Sequence, residues 1–245
     1  MARALFIVLA LLAYAIFFAT FLYLIGFVGD FPWLPHTIDR GMSSPVGVAI
    51  AIDLALIALF GVQHSVMARQ GFKAAWTRIM PEPVERSAYV VFASAALIIL
   101  FAFWRPIAGD VWRVAAPAGV AILWALFAAG WLIVLLSTFL IDHFELFGLS
   151  QVFRHWRGLK AQPPRFHQPL FYKLVRHPLY TGFFLAFWAA PVMSLGHLLF
   201  AAGMSIYMLI AIRYEERDLV RVFGADYEAY RTRVGMLGPK LMKRG

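Results

Sequence analysis

Apolar residues run almost unbroken along five stretches, at about 4–27, 46–67, 88–104, 115–141 and 179–212, and polar residues collect between them. A helix over the first stretch, from Ala4 to Phe27, would be about 36 Å long at 1.5 Å per residue, enough to cross a hydrocarbon core of about 30 Å with some tilt. It lacks a polar cleavage region and more spans follow it, so it reads as a retained helix rather than a signal peptide. The fifth stretch is too long for one span. Pro191 and the Ser194-Leu195-Gly196 break predict two helices in a tight hairpin. The pattern predicts an all-α polytopic membrane protein in one domain over 1–245, with four spanning helices and a C-terminal helical hairpin.

Composition supports this reading. Hydrophobic residues make up 62% of the 245 positions and charged residues only 14%, against roughly 45–50% and about 25% in soluble domains. A water-soluble globule and a disordered chain are both excluded. The net charge of +9 is explained by where its cations lie. They concentrate in the loop 68–87, in the segment 142–178 and in the tail from 213, which alternation of spans puts on the same side as the N-terminus with its Arg3. The loop 28–45 and the turn 105–114 carry little net charge. By the positive-inside rule both termini, with segments 142–178 and 213–245, are expected in the cytoplasm. The basic excess is thus a topology signal and a lipid-facing surface, with no nucleic-acid partner. There are no cysteines, and the seven histidines have no metal-ligand spacing.

The polar segments flanking the hairpin carry the strongest motifs. Arg176-His177-Pro178-Leu179-Tyr180-Thr181-Gly182 precedes it; Tyr214-Glu215-Glu216-Arg217-Asp218-Leu219 and Phe223-Gly224-Ala225-Asp226-Tyr227-Glu228-Ala229-Tyr230 follow it. Pro178 suits the first turn of a helix. The unpaired N–H groups of that turn, beside Arg176 and His177, suit a carboxylate or phosphate. Glu215 and Glu216 are adjacent like charges near a membrane face, and would be relieved by a ribose diol or an amino group. Tyr227 and Tyr230 share a helical face and could close over a flat ring.

These C-terminal motifs resemble the signature of the isoprenylcysteine carboxyl methyltransferase-like membrane superfamily, which also contains NADPH-binding sterol reductases and the NnrU-like group. Further stretches are more discriminating. They include Gly61-Val62-Gln63-His64-Ser65-Val66-Met67, Glu85-Arg86-Ser87, Trp131-Leu132-Ile133-Val134-Leu135 and Asp142-His143-Phe144-Glu145-Leu146-Phe147-Gly148-Leu149. With them, nearly the whole chain is similar to the bacterial methanethiol S-methyltransferases.

That resemblance implies methyl transfer from S-adenosylmethionine to a small thiol, methanethiol, releasing dimethyl sulfide. Arg176, His177, Pro178, Leu179, Tyr180, Gly182, Tyr214, Glu215, Glu216, Tyr227 and Tyr230 would hold the cofactor. A thiolate is the competent nucleophile, so a proton must be removed. His64, Asp142, His143 and Glu145 are the candidates, with Arg217 in support. Gln63 could bond a substrate sulfur. Asp53 lies mid-span, where an ionisable group is a functional hypothesis by default, and is placed with Gln63 in the substrate pocket. A methyltransferase acting on an isoprenylated thiol or lipid, and an NADPH-dependent membrane reductase, are the alternatives.

Overall fold

The computed structural model describes residues 2–160 and 166–240; residues 161–165 and 241–245 of the two polar segments lie outside the described residues. Ten α-helices occur among them: α1 (Ala2–Val28), α2 (Val46–Met67), α3 (Gln70–Trp76), α4 (Glu82–Phe103), α5 (Pro117–Ile141), α6 (His143–Leu146), α7 (Leu149–Arg157), α8 (Pro178–Trp188), α9 (Leu195–Phe223) and α10 (Ala225–Arg233). Two short strands, β1 (Asp110–Arg113) and β2 (Val192–Ser194), form an antiparallel ribbon with Asp110 opposite Ser194 and Arg113 opposite Val192.

Five helices are long and apolar enough to cross a membrane: Arg3–Val28, Val46–Met67, Glu82–Phe103, Pro117–Ile141 and Leu195–Phe223. The protein is therefore an all-α polytopic membrane protein, apart from the ribbon. The predicted hairpin needs adjustment. Its first arm, α8, has 11 residues and a length of about 16 Å, well short of a hydrocarbon core. The break before its second arm is not a bare turn but β2, which donates its edge to β1. Helix α4 also begins earlier than the apolar run at 88, because Pro81 and Pro83 preset its first turn and Glu82 and Glu85 favour its positive end.

The chain divides into two compact units, which are described separately. Unit 1 comprises Met1–Arg113, His143–Gln162 and Val192–Gly203. Here α4 packs on both α1 and α2, and α7 lies against α1 and α4. The core is aromatic. Phe27 meets Phe101 with ring centroids 5.0 Å apart, Trp104 packs on Phe200 at 5.7 Å, and the Trp104 indole N–H donates to the Ile38 carbonyl. One side of α1 is left apolar and exposed (Leu5, Val8, Leu9 and Leu12), as a lipid-facing helix requires. Gly148 enters α7 with φ of 89°, a region costly for any other residue, and a Cβ there would stand 2.6 Å from the Ser87 hydroxyl.

Unit 2 comprises Val114–Asp142, Pro163–Pro191 and Met204–Gly245. Its centre is the α5–α8 contact. A Cβ on Gly130 would come within 2.6 Å of the Ala186 amide nitrogen, and one on Gly182 within 2.7 Å of the Gly130 carbonyl. Two glycines facing each other let the backbones approach as small residues do in membrane helix pairs. The Trp188 indole donates to Ser205 on α9. The α10 end is held by a second cluster, in which Tyr227, Tyr230 and Val234 pack with Phe166, Leu219 and Phe223.

Candidate active site

In unit 2 the chain before α8 is tied to the tail. The Arg176 and His177 amides donate to the carbonyls of Gly235 (2.8 Å) and Met236 (3.1 Å), and the Thr181 hydroxyl donates to Leu237. His177 is the N-cap of α8, and Pro178 occupies its first turn. With Pro178 lacking an N–H and Thr181 already bonded to the His177 carbonyl, the Leu179 amide is a donor that a helix start leaves without an intrahelical partner.

Glu216, projecting from α9, is buried at the centre of this arrangement. Its Oε1 accepts from Arg176 Nε at 2.7 Å and lies 3.1 Å from His177 Nε2, while Oε2 lies 3.4 Å from Arg231 Nε. Arg176 also donates from Nη1 to the Val234 carbonyl. The carboxylate is thus surrounded by two arginines and an imidazole of the chain itself. Arg176 and His177, read from the sequence as anion binders, meet an internal anion.

The tyrosines here, Tyr227 and Tyr230 buried and Tyr172 half-buried, stay protonated to high pH. Burial pushes Tyr230 up to about 12, with Arg176 opposing and Glu216 adding to the rise. Burial raises Tyr227 as well, reinforced by Glu216 and Glu215, and raises Tyr172, reinforced by Glu215. The Tyr230 hydroxyl donates to the Tyr172 carbonyl at 2.6 Å. The Tyr227 hydroxyl is buried and has no hydrogen-bond partner among the described residues. The two rings, 5.7 Å apart, also pack edge-on against Phe166.

The remaining residues of the motif sit differently. Glu215 and Tyr214 are exposed on α9, and the Arg217 guanidinium lies over the Tyr214 ring at 5.5 Å. Leu179 and Tyr180 are half-buried. Gly182 faces α5, where helix packing alone demands a glycine.

Unit 1 holds a second set of polar groups. His64 Nε2 is 2.8 Å from the Tyr89 hydroxyl, and the Arg86 guanidinium sits 4.7 Å from the centre of the Tyr89 ring while donating to the Leu146 carbonyl. His143 is buried, with Nε2 2.8 Å from the Tyr14 hydroxyl and its ring edge-on to Phe147. Glu145 forms a two-pronged pair with Arg154, with Nη1–Oε2 and Nη2–Oε1 both 2.7 Å. Nearby on α3, burial and then Arg86 lower the Lys73 pKa, against the pull of Glu85.

Gln63 donates to the Met67 sulfur, and its carbonyl oxygen has no partner among the described residues. Asp53 is fully buried, and its Oδ1 accepts the Arg105 amide at 2.9 Å, which satisfies backbone just beyond the end of α4. Asp142 lies in unit 2 as the exposed C-cap of α5, its amide bonded to the Thr138 carbonyl.

Sequence reasoning did not find Tyr14, Tyr89, Tyr172 or Arg231. Each reaches its partner from a separate helix or turn, so no local spacing marks it.

A protein of Bradyrhizobium diazoefficiens named methanethiol S-methyltransferase 1 is 54% identical over 227 residues, covering 93% of this chain and 79% of that one. The methanethiol S-methyltransferase of Mycobacterium tuberculosis is 50% identical over 239 residues, 98% of each chain. The chain belongs to the methanethiol S-methyltransferase family. Human nurim is a more distant relative of this methanethiol S-methyltransferase family member, 31% identical over 196 residues that cover 76% of the chain and 72% of nurim. No protein-family model matches the chain, and no solved structure does.

Proposed function

We propose that the chain transfers a methyl group from S-adenosylmethionine to a small thiol, methanethiol, and releases dimethyl sulfide. The observation that carries this reading is the 50% identity to a methanethiol S-methyltransferase over 98% of both chains. The geometry of unit 2 supports where the methyl donor is held.

An adenosyl sulfonium brings ribose hydroxyls and an amino acid end, which need acceptors, a donor for the carboxylate and flat apolar surface. Glu216 is engaged by Arg176, His177 and Arg231. Its exposed neighbour Glu215 is therefore the carboxylate assigned to the ligand's hydroxyls or ammonium. The buried Tyr227 hydroxyl, lacking a partner among the described residues, is a second polar group with capacity to spare. The Leu179 amide, in the first turn of α8, suits a carboxylate. Arg176, His177 and Glu216 hold the α8 start against α9 so that these groups stay in place. Tyr180, Tyr214 and Tyr230 complete the proposed set, and Gly182 acts through the close α5 contact.

When bound, S-adenosylmethionine supplies a methyl carbon made electrophilic by its sulfonium. The thiol must lose its proton to attack. His64, Asp142, His143 and Glu145 are proposed for proton handling on the chemistry of their side chains. Tyr89 and Tyr14 fix the two imidazoles, and Arg154 holds Glu145. Gln63 keeps an open carbonyl oxygen for a polar contact. Asp53 is assigned to holding the chain at Arg105. The uneven distribution of Lys and Arg favours cytoplasmic termini and, in a bacterium, the inner membrane.

The test is titration of the purified full-length chain with S-adenosylhomocysteine and, separately, with NADPH. Saturable binding of the former and none of the latter supports methyl transfer. Preferential binding of NADPH would replace it with a reductase.

A further inference from the structure

Helix α7 carries apolar residues at 149, 152, 153 and 156, an i, i+3, i+4, i+7 stripe, and polar or basic residues at 150, 151, 154, 155 and 157. Only part of that stripe is used inside the protein. Val152 is buried with Ala10 of α1 and Val84 of α4, and Leu149 packs beside them. Phe153 and Trp156 remain exposed, as does Phe144 on α6. Between Phe144, Phe153 and α1 lies an apolar cavity of about 340 Å³, lined also by Ile7, Leu11 and Leu149. That volume is at the lower end of the roughly 300–1,000 Å³ found for ligand pockets.

The basic residues on and just after α7 are not equivalent. Arg154 is committed to Glu145, and His155 packs on Phe6 at 5.7 Å. Arg157 and Lys160 are exposed. The Arg157 guanidinium lies 5.6 Å from the Phe153 ring and 5.9 Å from Trp156, and it has no carboxylate partner among the described residues. The cation is therefore held over Phe153, a ring that lines the apolar cavity, and over its neighbour Trp156.

We propose that this cavity binds one anionic phospholipid, an acyl chain lying along α1 against Phe144 and Phe153 and the phosphate meeting Arg157 and Lys160. The chain is a membrane protein, so a lipid is the molecule that surrounds α1. An amphipathic helix with aromatic residues beside arginine is suited to the headgroup boundary. The unspent charge selects the anionic lipids from the rest. The stripe, the cavity and the unpaired cation are three separate features of one surface, and none of them enters the proposed methyl transfer.

The experiment uses the full-length chain reconstituted in phosphatidylcholine vesicles containing increasing fractions of phosphatidylglycerol or phosphatidylcholine brominated on the acyl chains. Bromine quenches a tryptophan that it touches, and the difference between the wild type and Trp156→Phe isolates the Trp156 signal. Half-maximal quenching should need several-fold less brominated phosphatidylglycerol than brominated phosphatidylcholine. The double variant Arg157→Gln/Lys160→Gln, altered only at exposed side chains, should bring the two curves together. Coincident curves in the wild type, or a preference that survives in the double variant, would overturn the proposal. So would a Trp156 signal quenched by neither lipid, which would mean that another part of a protein covers this face.

Discussion

Arg176 Nε lies 2.7 Å from Glu216 Oε1, closing an ion pair across 40 residues of sequence, with both side chains little more than a tenth exposed. The pair joins the chain at the start of α8 to α9, and His177 and Arg231 complete the shell of the carboxylate. Glu215, one position earlier, points into the open. Two adjacent glutamates therefore sit in different settings, Glu216 buried in an ion-paired frame and Glu215 exposed.

The first prediction separates them. Glu216→Gln leaves Arg176 short of its counter-charge in a buried setting and should lower stability by about 3 kcal/mol. Glu215→Gln changes an exposed group and should shift stability by less than about 0.5 kcal/mol, while weakening S-adenosylhomocysteine about tenfold. Denaturant unfolding in detergent and ligand titration on the same preparations measure both. Equal effects of the two variants on unfolding would remove the distinction.

Alkaline titration addresses the tyrosine cluster. The folded chain keeps Tyr230 protonated up to about 12, and holds Tyr172 and Tyr227 above their ordinary value of 10.0 as well, with burial the largest cause in each. The unfolded chain ionises near 10, so the stability these phenols contribute is whole below pH 10. It drains away as pH climbs from 10 toward 12. Tyrosinate absorbance should rise in two phases, the later coinciding with loss of helicity. A single phase near pH 10 covering all nine tyrosines, with helicity intact, would contradict the burial of this cluster.

Much of this was legible in the sequence and some was not, for a definite reason. The boundaries of α2 coincide with the apolar run at 46–67, because a hydrocarbon environment leaves helix as the only single-segment solution. The Pro178 helix start follows from the geometry of its ring. Glu216 is different. Nothing in Glu215-Glu216 says which one is buried, since that depends on α9 phase relative to Arg176 and on Arg231 arriving from another helix. The β1–β2 ribbon was equally hidden. Val192-Met193-Ser194 looks like a loop until Asp110–Arg113, far away in sequence, supplies its partner. Tyr89 and Tyr14 carry no local mark as partners of His64 and His143 for the same reason.

The α5–α8 contact gives a packing prediction. Gly182→Val places branched carbons where a Cβ alone would already sit 2.7 Å from the Gly130 carbonyl and 2.9 Å from the Val134 amide nitrogen. Neither partner atom is the free end of a side chain, so the helices must separate. Stability should fall by about 1–3 kcal/mol, with Gly182→Ala milder. Thermal melts in detergent check it, and an unchanged Gly182→Val melt would refute the close approach.

Tyr89→Phe tests the histidine in unit 1. It removes the hydroxyl 2.8 Å from His64 Nε2 but keeps the ring beneath Arg86. Stability should change by about 1 kcal/mol or less. If His64 handles the thiol proton, turnover should fall about tenfold with an altered pH profile and little change in S-adenosylhomocysteine affinity. A fall in affinity with an unchanged pH profile would assign Tyr89 a structural part only.

The most direct measurement is mass analysis of the volatile product when the purified chain is given methanethiol and S-adenosylmethionine carrying a trideuterated methyl group. Methyl transfer predicts dimethyl sulfide heavier by three deuteriums, formed together with an equal amount of S-adenosylhomocysteine. No labelled dimethyl sulfide from a folded, cofactor-binding preparation would contradict the assignment.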